Sequence, residues 1–183
     1  MAIRRWLESQ CACAEAMEWC GERSGRAAYE ECERADWLLW ALGRLVDRQM
    51  LVLAACACAR RALQHVPKGE MRPLRAIETA ERWSRGEATI RAVRAASAAS
   101  KAAAKAADIA AVDSTDVAAW AAARAAAWVA DTATEDSAET AAWAAAEAPA
   151  RVARASAGAA AEHKAMCRII REMIHFDERW NDK

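Results

Sequence analysis

The chain has 183 residues, enough for one domain with a real core, and its 26 Lys/Arg balance 26 Asp/Glu to a formal net charge of zero. That balance excludes a protein built mainly to coat nucleic acid. Ala dominates residues 92–161, Trp occurs nine times, and three Pro and six Gly punctuate the rest, a composition that favours helix throughout.

The pattern predicts a first helix over residues 3–20, stopped by Gly21. A second runs through "GRAAYEECERADWLLWALGRLV" with a break near Asp36. Trp37, Leu38, Leu39, Trp40, Leu42, Leu45 and Val46 surround much of it, as in a central helix. A third covers 48–65. "HVPKGEMRP" is the clearest loop, and Pro73 fits the first turn of a fourth helix that ends at Gly86. There Ile77, Ala80 and Trp83 form a buried stripe, with Glu78–Arg82 and Glu81–Arg85 as i,i+4 pairs outside it. Further helices are expected over 88–111, 115–131 and from 136, capped from "VDSTD" and "DTATED". Pro149 breaks or kinks the helix that starts at 136, and a last helix reaches about residue 176 with Met166, Ile169, Ile170, Met173 and Phe176 inward.

The expected fold is all-α: a compact bundle or short solenoid-like stack of about seven to eight antiparallel helices. It is read as a single domain over 1–183, with a motif-rich half (1–91), an Ala-rich half (92–176) and a short tail (177–183). Trp120, Trp128 and Trp143 give the Ala-rich half buried area that Ala lacks. Acids at 8 and 15 interrupt any signal-like segment after Arg4-Arg5, and "MLVLAACACA" is too short to span a bilayer. A cytoplasmic protein with reduced thiols and no membrane partner is the expectation.

Cys-Ala-Cys occurs twice, at 11–13 and 56–58. Helical positions i and i+2 lie about 200° apart, so within an intact helix neither pair aims at one ion. The cysteines read as small core residues, and no metal or cofactor is expected. The alternative is a metal-binding or thiol-dependent helical enzyme. Glu172-x-x-His175 matches half of a di-iron bundle site, though no second copy exists, and His163 and Cys167 share a face at i,i+4. The plainer reading of these four is a helix surface, and no catalytic residue is assigned.

Charge is segregated. Residues 60–94 hold nine Lys/Arg against four acids, whereas 108–147 hold eight acids against Arg124 alone. Trp120, Arg124 and Trp128 share one helix face, with Asp116 and Asp131 near its ends and Glu135, Asp136 and Glu139 beyond. Exposed, that face is an aromatic anchor ringed by acids, suited to a basic protein partner; buried, its Trp residues are core. The basic segment has only Trp83 as an aromatic, and its Glu residues can pair with its Arg residues, so no direct nucleic-acid contact is expected. A homo-oligomer that hides Trp120 and Trp128 is the structural alternative.

The strings "ECERADWLLWALGRL" and "LVLAACACARRALQHVPKGEMRPLRAIETAERWSRGEAT", followed by an Ala-rich helical half, resemble a family of Ala- and Trp-rich bacterial and phage proteins described as immunity proteins (immunity-five-like). The resemblance covers most of the chain and is tightest over 31–89. It rests on Asp36-Trp37, Cys56 to Arg60, Glu70, Arg72-Pro73, Glu78 and Glu81-x-Trp83. It implies a protein without chemistry of its own that binds and neutralises a toxin, commonly a nuclease, or, carried by a phage, a host defence nuclease. The same residues also read as scaffold. Asp36 can cap the helix beginning at Trp37, Glu70 and Arg72 can pin the loop, and Arg60 can pair with Glu78 or Glu81.

Overall fold

The computed structural model describes residues 3–110, 127 and 159–177. These form α1 (Ile3–Ser9), α2 (Ala14–Cys20), α3 (Gly25–Glu31), α4 (Ala35–Leu42), α5 (Arg48–Arg60) with a 3-10 turn at Arg61–His65, α6 (Arg72–Ser84), α7 (Ile90–Ala110) and α8 (Ala159–Met173). No strand occurs among the described residues, so the class is all-α. The proposed helices over 115–131 and 136–149, the kink at Pro149 and the tail beyond 177 lie outside the described residues, except Ala127, which is helical.

The expected first helix is two. Cys11 adopts a left-handed φ of 56°. Its N–H donates to Glu8 O at 3.1 Å, and the Ala12 N–H reaches back to Leu7 O at 2.9 Å. This is the crossed pair of bonds that closes a helix C-terminus, with Cys where Gly usually stands. Gly86, at φ 77°, closes α6 in the same way: Gly86 N–H bonds Trp83 O and Glu87 N–H bonds Arg82 O.

The second expected helix breaks at Cys32–Arg34, close to the anticipated place. Asp36 is not the cap. The helix begins two residues earlier than expected, at Ala35, and Asp36 lies in its first turn, where a carboxylate suits the macrodipole. Ser24 and Asp47 do cap, accepting from Ala27 N (3.1 Å) and Met50 N (2.8 Å) at the starts of α3 and α5.

The central helix is α5 rather than α4. Leu51, Val52, Ala54, Ala55, Cys56, Cys58 and Ala59 are all buried, and α5 packs against α4, α6 and α8. By contrast α4 buries Leu38, Leu39 and Leu42 but leaves Trp37 and Trp40 half exposed. Small residues let α5 accept three neighbours at close range. The main core runs from Tyr29 to Ile174, because α8 returns to cover α4 and α5 with Met166, Cys167, Ile170 and Ile174. A smaller cluster gathers Trp6, Leu7 and Cys20, with Trp19 packed against both. In α7, Ser97 donates a hydrogen bond of 3.4 Å to Ala127 O.

Candidate functional site

Of the polar residues that carry the resemblance over 31–89, Asp36, Arg60, Glu70, Arg72 and Glu81 lie in ion pairs. Asp36, 1% exposed, accepts two parallel bonds from Arg34: Nε to Oδ1 at 2.9 Å and Nη2 to Oδ2 at 2.7 Å. His163 of α8, also buried, brings Nδ1 to 3.7 Å from Asp36 Oδ1. Arg60 grips Glu81 through two bonds of 2.8 and 2.7 Å, so Glu81 bridges α6 to α5 instead of pairing with Arg85. Arg85 turns to Glu87, and Arg82 donates to Glu87 O. Glu70 accepts from Arg72 N and Arg72 Nε, both at 2.9 Å, fixing the chain before Pro73 enters α6. The Arg72 guanidinium holds the Glu70 carboxyl below its usual range. Arg61 binds Glu162 of α8. Pro73 is buried, Trp37 and Trp83 pack against the core at half burial, and Glu78 is exposed.

The His163, Cys167, Glu172, His175 set does not converge. His163 and Cys167 are not on a helix surface: they face the core and are 4% and 1% exposed. Glu172 and His175 lie on the outer side. Burial pushes the Cys167 thiol far up, aided by Cys32 and countered by Arg171. Burial also raises Cys32 to about 11 and Cys58 to about 12, and lifts Cys56 well above its ordinary value. Such thiols are poor nucleophiles and poor ligands. The second Cys-Ala-Cys is therefore core. The first is exposed, because the link between α1 and α2 carries it out of any helix. No cluster of three or more His, Cys, Asp or Glu among the described residues could hold a metal ion. Nor is any described helix long and apolar enough to cross a membrane.

A concave feature went unnoticed in the sequence. A cavity of about 490 Å³ opens among α1 to α4. Trp6, Trp19, Tyr29, Trp37, Trp40 and Phe176 wall it, with Glu15, Arg34 and Asp36 as its charged members. Trp6 meets Trp40 edge-on at 6.3 Å, and Trp19 lies tilted on Trp37 at 6.0 Å. Arg23, Arg34 and Arg44 sit 4.6, 4.6 and 3.9 Å from the ring centres of Trp19, Trp37 and Trp40. The usable signal was the aromatic content of four short helices, each too short to stand alone.

The partner-binding residues expected from charge, namely Asp116, Trp120, Arg124, Trp128, Asp131, Glu135, Asp136 and Glu139, lie outside the described residues. No protein-family model, curated protein or solved structure matches the chain.

Proposed function

We propose that this chain is a non-enzymatic, protein-binding inhibitor of the immunity type, which neutralises a basic toxin or defence nuclease by steric and electrostatic blocking. The observation that carries this reading is where the charges go. In the basic segment, Arg60, Arg61, Arg72 and Arg85 are each bound by a glutamate of this chain: Glu81, Glu162, Glu70 and Glu87. Four of the nine basic residues of that segment are thus offset internally. The eight acids of 108–147 have only Arg124 as a base in their own segment. By sequence that acidic segment is the strongest single-sign stretch of the chain, and a basic nuclease cleft is its complement. The resemblance of residues 31–89 to immunity proteins points the same way. The separation of buried His163 and Cys167 from exposed Glu172 and His175 favours a binding role over a catalytic one.

The test is capture on the immobilised full chain from lysates of the source cell and of an infected or competing strain, at low and high salt. The expected result is one basic protein, released by salt, whose nuclease activity falls when the free chain is added. Capture of no such protein, or of one whose activity is unaffected, rejects the reading.

A further inference from the structure

We propose that the tryptophan-walled cavity among α1 to α4 is a binding site for a small lipophilic cation, an organic ammonium or phosphonium with an aromatic or alkyl body. Size comes first. At about 490 Å³ the cavity lies within the range of roughly 300–1,000 Å³ that holds small organic ligands. Its walls are largely apolar and aromatic, so a ligand must bring an apolar body.

Charge then chooses the sign. The lining contains two carboxylates, Glu15 and Asp36, and one guanidinium, Arg34. Arg34 is already committed to both: it binds Asp36 through two hydrogen bonds and lies 3.5 Å from Glu15. Within that lining one negative charge remains, while Arg23, Arg26 and Arg44 stack on the wall rings Trp19, Phe176 and Trp40. The surrounding chain keeps the same sign, since residues 3–45 carry eight acids and six arginines. The rings add to it, because an indole face attracts cations through its quadrupole. Trp19, Trp37 and Trp40 each hold an arginine over one face, so these rings act as cation acceptors in this fold. Glu15 has a side chain 73% exposed, which places a carboxylate where an incoming cation meets it first. An anion of the same size would meet the exposed Glu15 carboxylate and is disfavoured.

The lining residues belong to other parts of the chain than the acidic segment at 108–147, and the test needs no protein target. Tetraphenylphosphonium and tetraphenylborate have nearly the same size and shape and opposite charge. Each is titrated into the full chain by calorimetry and by quenching of tryptophan emission. The expected result is saturable one-to-one binding of the phosphonium, with the borate at least about tenfold weaker. Glu15→Gln weakens the phosphonium by about two- to fivefold, as suits an exposed charge. Ala16→Trp, at a half-buried position that lines the cavity, fills it and abolishes binding. Glu15→Gln changes no buried group, so its result stands even if the larger replacement disturbs folding. No saturable phosphonium binding, equal binding of the borate, or undiminished affinity in Glu15→Gln overturns the proposal.

Discussion

Cys58 and Cys11 are identical in chemistry and opposite in circumstance. Cys58 is fully buried in α5, and loss of hydration lifts its thiol to about 12; Cys11 is exposed in the link after α1. Five of the seven cysteines are buried. In the native chain at pH 8, a thiol reagent should therefore modify Cys11 and Cys13 rapidly and the other five only on unfolding. Fast reaction of more than two thiols contradicts this burial. The same shifts set an alkaline limit. Where the folded value lies above the ordinary 9.0, the unfolded chain loses its proton first. Stability is then complete below about pH 9 and falls as pH rises toward the folded values, by up to about 1.4 kcal/mol per pH unit for each thiol. Urea midpoints should drop between pH 9 and 11, and less steeply in Cys58→Ala. A flat profile would refute the shift.

Helix ends show what pattern reading resolves and what it misses. Gly21, Gly86 and Pro73 mark boundaries because their backbones are special, and the structure places helix ends or starts beside each. The break at Cys11 carries no such mark: a non-glycine residue takes the left-handed position, so residues 3–20 read as one helix. Replacing Cys11 by Gly relieves that conformation and should raise stability by about 0.5–1 kcal/mol in urea unfolding. A loss of stability would mean that the Cys11 side chain contributes packing at the cavity wall. The break after α3 is held by a residue far along the chain. Arg171 of α8 donates to Tyr29 O at 3.0 and 2.9 Å and also to Cys32 O. These carbonyls end a helix and need donors. Tyr29 returns a bond from its hydroxyl to Ile174 O. Arg171→Met should cost about 2–3 kcal/mol, visible as a lowered melting temperature, since it orphans these carbonyls. An unchanged melting temperature would show that water replaces the guanidinium. No local pattern announces a contact across some 140 residues, so Met166 and Ile170 were legible as the inner face of α8, but the burial of His163 and Cys167 and the partner at Tyr29 were not.

Across the whole molecule, the ion pairs and the acidic excess belong together. Arginines at 60, 61 and 72 tie α5, α8 and the loop before α6 to glutamates, and each pair shortens the reach of its own charges. The Glu70–Arg72 pin could be read from adjacency and charge, whereas spacing left Arg60 between Glu78 and Glu81 and assigned Glu81 to Arg85. The cavity could not, because Trp6, Trp19, Trp37 and Trp40 come from three helices whose packing no periodicity encodes. At this scale the central claim is that negative charge over 108–147 engages a basic protein. The most direct measurement replaces Asp131, Glu135, Asp136 and Glu139 by Lys and compares this variant with the parent chain for the affinity of the captured partner. Circular dichroism and melting of both confirm that folding is kept. The expected result is loss of binding in a variant that remains folded, together with a parent affinity that falls steeply with salt. A folded variant that binds with unchanged affinity would contradict the claim.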